Sequence, residues 1–211
     1  MEQLKKISHD KSGVNLIYYF VSQKVTQLDK DDPGSRAACA RLRRAVGKPP
    51  GATPDVWEFT LQGAPSEWDS LNGKPSYAEW AVHTALTLYA LHRQGKDRSM
   101  NAEKVSFGAA AACLVQRDEN RLEAVRRRFN SVATAVDFTE MAHNARGLVL
   151  LFKSEDVAMD YPQFANDLFQ FQLPGGGDRI RLRWGEDFYQ FKRISEDEPQ
   201  TTTKTKGRDE E

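Results

Sequence analysis

Cysteine is scarce in this chain: Cys39 and Cys113 are the only two among 211 residues. Each sits among alanines in a segment of helical character, which suits a small buried thiol, and no cysteine framework exists to staple a small fold. Long apolar runs are missing too. The densest, Leu148–Phe152, falls far short of the roughly 20 residues that cross a bilayer as a helix. Met1–Lys11 mixes Glu2, Lys5, Lys6, His9 and Asp10 with few apolar residues, so no secretory leader is expected and the expected compartment is the cytoplasm. Catalytic signatures are absent as well. There is no HExxH, GxSxG or phosphate-cradling GxxxxGK[ST] string and no closely spaced cysteine pair. Of the four histidines, His83 and His92 would point to opposite faces of one helix and so would not chelate one metal. Asp137, Glu140 and Asp156 read as caps and solvated positions rather than a carboxylate cluster. Neither metal nor cofactor nor catalysis is expected.

Net charge is the last absence: 30 basic residues balance 30 acidic ones. The distribution is uneven, however, and distribution decides where a polyanion can sit. Ser195–Glu211 holds six acids and three bases, which leaves residues 1–194 at +3. Arg36, Arg41, Arg43, Arg44 and Lys48 form a stretch without an acid, whereas Asp55, Glu58, Glu67 and Asp69 form one without a base.

Apolar spacing is helical almost throughout, so the expected fold is all-α, a compact multi-helix bundle of one body or two lobes. Helices are expected over Val14–Lys30, Ser35–Val46, Asp55–Leu61, Tyr77–Gln94, Ser106–Gln116, Glu119–Asn130, Phe138–Lys153, Tyr161–Phe171 and Leu182–Arg193. Ser35 reads as an N-cap and Gly175-Gly176-Gly177 as a flexible connector. Ile180–Arg183 alternates like a strand but has no obvious partner. The expected division is a helical domain over 1–194 and a disordered, charged tail over 195–211. Trp57, Trp68, Trp80 and Trp184 are read as packing residues rather than base-stacking platforms.

Arginine carries the functional signal. With Ala38, Cys39, Leu42 and Val46 turned inward, Arg36, Arg43 and Arg44 project outward with no nearby acid in sequence. With Leu122, Val125 and Phe129 inward, Arg127 points nearly opposite, Arg121 and Arg128 share one flank and Arg126 takes the other. Arg179, Arg181, Arg183 and Arg193 form a third cluster. Arginine rather than lysine is what planar contacts to phosphate favour. A solvated helix face laced with ion pairs is the alternative, credible for Arg121 and Arg126 beside Glu119 and Glu123.

These segments resemble the small subunit of the type I-E CRISPR Cascade complex, the CasB family. The resemblance rests on Arg36–Ala45, Ala85–His92, Ser106–Ala110, Arg121–Phe129, Arg146-Gly147-Leu148, Tyr161–Leu168 and Arg183–Tyr189, whose order and spacing span about residues 14–191. It implies an all-helical, non-catalytic protein that sits as two copies among other Cascade subunits. Such a protein stabilises the R-loop through crRNA, target DNA and the displaced strand. It also implies nucleic-acid contacts at Arg43 or Arg44, Arg121, Arg127, Arg146 and Arg181 or Arg183, with Lys104 a weaker match before the Ser106-Phe107-Gly108 turn. The Pro/Gly loop at Lys48–Thr53 and the charged tail depart from the family. A helical adaptor that binds only proteins is the competing expectation.

Overall fold

The computed structural model describes residues 16–70 and 72–196, with the side chains of 117, 119 and 191–196 excepted. Among the described residues there are helices and turns but no strands; Asn101 and Met159 form one isolated parallel bridge. None of the helices is long and apolar enough to cross a membrane.

Helix α1 (Leu16–Leu28) buries Ile17, Phe20, Val21, Val25 and Leu28. Helix α2 (Pro33–Arg44) starts two residues before the expected point because Asp32, not Ser35, caps it. The Asp32 carboxylate accepts from the Ser35 amide at 2.8 Å, and Pro33 occupies the first helical position. The Ser35 hydroxyl instead donates to the Gln27 carbonyl at 2.8 Å, lashing α2 back onto α1. Short turns at Pro50–Ala52, Pro54–Val56 and Ser66–Trp68 flank α3 (Trp57–Thr60). Trp68 anchors this irregular stretch edge-on against Phe20 of α1.

Helix α4 (Tyr77–Arg93) opens with a reciprocal capping box between Ser76 and Glu79. It is buried on nearly every side, as its run of Ala, Val, Leu and Thr allows, and packs against α1, α2, α7 (Phe138–Ser154) and α8 (Tyr161–Phe171). Helices α5 (Phe107–Arg117) and α6 (Leu122–Ala133) complete the set with α9 (Gly176–Glu196). Their buried residues form one continuous cluster from Ile17 to Phe188, centred on the aromatic stack of Phe107, Phe164 and Trp184. Trp184 is fully buried, Trp80 half-buried against Phe138, and Trp57 exposed with its indole donating to the Pro50 carbonyl at 3.3 Å.

Helix α9 departs most from expectation. It begins at Gly176, not Leu182, so the triple glycine is not a flexible connector and Ile180–Arg183 is not a strand. Gly175 makes the turn at φ +68°, a backbone conformation that costs glycine little. Gly176 must lack a side chain because a Cβ there would lie 1.8 Å from the Gln170 carbonyl of α8. Gly108 plays the same part between α5 and α9, where a Cβ would come 2.1 Å from the Trp184 carbonyl. Helix α9 therefore lies backbone-to-backbone on its neighbours, burying Ile180, Trp184 and Phe188 at four-residue spacing. The expected tail beyond Glu196 lies outside the described residues.

Asp29, just past α1, accepts from the Arg93 guanidinium at 2.9 Å, the Ser99 hydroxyl at 2.6 Å and the Tyr89 hydroxyl, tying α1 to α4 and to the loop beyond it. Beside that knot His92 is fully buried, its Nδ1 3.0 Å from the Tyr161 hydroxyl. Desolvation lowers its pKa to about 4, and burial lowers that of His83 too. Between about pH 6.5 and 4 the unfolded chain binds the His92 proton and the folded chain does not, so stability must fall as pH falls. The expected loss through His92 is about 3 kcal/mol. Urea unfolding at pH 7 and pH 4.5 should show a steeper decline for the wild type than for His92→Gln; parallel profiles would remove His92 from this role.

Candidate nucleic-acid interface

The α2 arginines are not free of acid, contrary to their sequence surroundings. Arg36 pairs with Asp31 at 2.6 Å. The acidic segment folds back onto the helix, placing Glu58 3.8 Å from Arg41 and Asp55 4.0 Å from Arg44. Arg41 also lies over the Phe59 ring at 5.2 Å. The expectation that Arg36 and Arg44 lack a partner is thus corrected: the proline turns at 50 and 54 bring oppositely charged stretches together. Arg36 and Arg44 make these pairs at the surface, where each contributes no more than about 1 kcal/mol and yields readily to salt or to a stronger anion. Arg43, half-buried, has no ion-pair partner among the described residues.

Helices α6 and α7 run as an antiparallel pair, pinned where the Asn144 amide donates to the Ser131 carbonyl at 2.9 Å. Arg127 lies one turn before that cross-link on α6, and Arg146 two residues after it on α7. Both are exposed and have no ion-pair partner among the described residues. Exposed Arg128 only curls onto its own helix, to the Ala124 carbonyl at 3.4 Å. Arg126 is held by Glu123 at 2.7 Å, and Arg121 by Asp118 at 3.2 Å and Glu155 at 2.5 Å. A shallow hollow lined by Arg126, Arg127, Asn130 and Ser131 runs along the outer face of α6.

The two remaining arginines face inward. Arg181 donates to the Ala135 carbonyl at 2.6 Å, pairs with Asp178 at 3.0 Å and stacks over Phe171 at 5.0 Å. It clamps α9 to the α6–α7 connection. Arg183 pairs with Asp167, a carboxylate only 1% exposed, which also accepts from the Trp184 indole and the Gln163 amide at 2.6 Å each. Burial pushes the Asp167 pKa up and Arg183 pulls it back. Lys104 adopts φ +66° while its amide donates to the Asp160 carboxylate at 2.9 Å, and its side chain is exposed. Sequence reasoning missed Asp167 as the acceptor for Arg183. Its signal was visible: an aspartate set among Phe164, Ala165, Leu168 and Phe169 on a buried helix needs a donor.

Among the described residues, no cluster of three or more His, Cys, Asp or Glu could hold a metal. No disulfide joins Cys39, which is buried, to Cys113, which is half-buried. Fold and surface together define an all-helical protein whose solvent-facing arginines gather on α2 and on the α6–α7 pair. Residues 38–189 match the family described as CRISPR-associated protein Cse2, and the chain belongs to that family. It is similar to the CasB crystal structure from Thermobifida fusca, with 31% identity over 82% of this chain and 98% of that one, at a TM-score of 0.68. It shares the fold of CasB from Thermus thermophilus, with 22% identity over 82% and 96% of the two chains, TM-score 0.61. It also shares the fold of a chain in a solved CRISPR RNA-guided surveillance complex, with 17% identity over 85% and 98%, TM-score 0.66. No curated protein matches the chain.

Proposed function

We propose that this protein is a non-catalytic, cytoplasmic subunit of a crRNA-guided surveillance complex of the Cascade type. With a second copy of itself and other subunits, it steadies the R-loop by arginine–phosphate contacts to crRNA, target DNA and the displaced strand. One observation carries this reading: Arg127, Arg128 and Arg146 stand exposed on adjoining helices with no acid committed to them. Membership of the family and the shared fold with a chain of a surveillance complex support it. Exchanging a DNA duplex for an RNA–DNA hybrid is nearly balanced in energy, so a few backbone contacts are enough to tip it without reading a base. Arg43 and Lys104 extend the contact set; Arg36, Arg44 and Arg121 join it by releasing surface ion pairs. Arg181 and Arg183 contribute through the frame they hold.

Titrating the protein onto two single-stranded DNAs of different sequence, across a range of salt, tests this function. About four neutralised phosphates would give a slope of log affinity against log salt near −3. Equal affinity for both sequences is expected. A flat salt response, or a strong sequence preference, rejects the phosphate contact and leaves an adaptor that binds only proteins.

The acids that fold onto α2 make a separate prediction. Asp55 and Glu58 stand where phosphates would meet Arg44 and Arg41, so they compete with a strand. Asp55→Asn with Glu58→Gln should raise single-strand affinity at low salt by roughly three- to tenfold, since each removed repulsion is an exposed charge contact. Unchanged or weaker binding in that variant would place the strand away from α2.

A further inference from the structure

A cleft of about 290 Å³ opens between α2 and the turn that ends α4, lined by Arg36, Cys39 and Arg43 on one side and Gln94, Gly95 and Lys96 on the other. Its charges are unevenly answered. Arg36 is paired by Asp31, Arg93 by Asp29 at 2.9 Å and Lys96 by Asp156 at 2.5 Å. Two cations are left over. Arg43 has no carboxylate within ion-pairing distance among the described residues, and neither does Lys153, which stands behind Gln94 and donates to its side-chain carbonyl at 3.0 Å. Asp97 borders the cleft without pairing to either. Burial, then the neighbouring charges of Arg43 and Lys96, push the Lys153 pKa down. Like charges held this close and half-buried are a standing repulsion unless an anion enters between them.

We propose that this cleft is a phosphate-binding site, which takes a phosphomonoester-sized dianion between the Arg43 guanidinium and the Lys153 ammonium. Two uncompensated cations match the charge of roughly −2 on a phosphomonoester better than the −1 of a carboxylate. The cleft is too small for a duplex and is walled on two sides, unlike the open α6–α7 surface, so it suits a strand end or a small free phosphate. The inference rests on the nucleic-acid reading only for the first of those two sources.

Thermal unfolding of the full chain with inorganic phosphate, against chloride of equal ionic strength, tests the site. At about ten times its Kd, phosphate should raise the midpoint by about 3–5 °C. Arg43→Gln and Lys153→Gln should each abolish most of that shift, while Arg127→Ala with Arg146→Ala should keep it. Two further titrations separate the sources, using one oligonucleotide with a 5′-phosphate or a 5′-hydroxyl. Several-fold tighter binding of the phosphorylated form, absent in Arg43→Gln, assigns the cleft to a strand end; equal binding alongside a phosphate shift assigns it to a small phosphate. A phosphate shift with no oligonucleotide binding at all overturns the nucleic-acid function and leaves the cleft standing. No phosphate shift in the wild type, or the same shift in Arg43→Gln and Lys153→Gln, overturns the cleft.

Discussion

Asp167→Ala is expected to destabilise the fold by about 3–5 kcal/mol, the range for removing one partner of a buried ion pair. The wild-type carboxylate serves three donors from two helices: Arg183 and the Trp184 indole on α9 and Gln163 on α8 itself. Its removal strands a guanidinium and an indole N–H at the centre of the molecule, beside the Phe107 and Phe164 rings. Each unsatisfied donor keeps its desolvation cost with nothing to offset it. Asp167→Asn retains the shape and a carbonyl acceptor but loses the charge facing Arg183, so a smaller loss is expected there. Denaturant unfolding with circular dichroism at neutral pH distinguishes the variants. Should Asp167→Ala and Asp167→Asn both fall within about 1 kcal/mol of wild type, the α8–α9 contact depends on apolar packing alone.

Replacing Arg127, Arg128 and Arg146 together by alanine is expected to lower single-strand affinity by roughly a hundredfold at low salt, taking about 1 kcal/mol per charged contact. Three of about four phosphate contacts would go, so the salt slope should relax from near −3 to near −1. Stability should barely change, because none of the three makes an ion pair within the described residues and all are exposed. Arg128 gives up only a long bond to its own helix. The contrast with Arg183→Ala is informative: that substitution should lower stability first and affect binding only through the fold. A triple variant with the wild-type slope would move the nucleic-acid contact off α6 and α7. One that binds normally but fails to join a complex would make these arginines protein contacts.

Much of the helical architecture was legible in the sequence. The expected Tyr77–Gln94 and Phe138–Lys153 helices end within a residue of α4 and α7, and Tyr161–Phe171 coincides with α8. Those segments carry strong periodic stripes and local caps: Ser76 with Glu79, Asp137 with Glu140, and Asp160 with Gln163. Both kinds of signal act within one or two turns of chain. The start of α9 was not legible, because glycine carries no helical preference. What made Gly176 helical was the carbonyl of Gln170 on another helix, close enough to exclude any side chain.

The arginine site divides along the same line. The sequence alone determined which helix faces would carry arginine and that α2 and α6 would turn those faces outward, since that follows from where the apolar residues must go. It also determined the segregation of acid from base between residues 36–48 and 55–69. Only the tertiary structure decided which arginines remain available. Arg44 met Asp55, Arg121 met Glu155 and Arg183 met Asp167 across gaps that no local pattern spans, while Arg43, Arg127 and Arg146 met no acid among the described residues. The physical reason is range: helical periodicity is fixed by neighbours a turn away, whereas an ion pair depends on the distance between two charges in space, which packing sets.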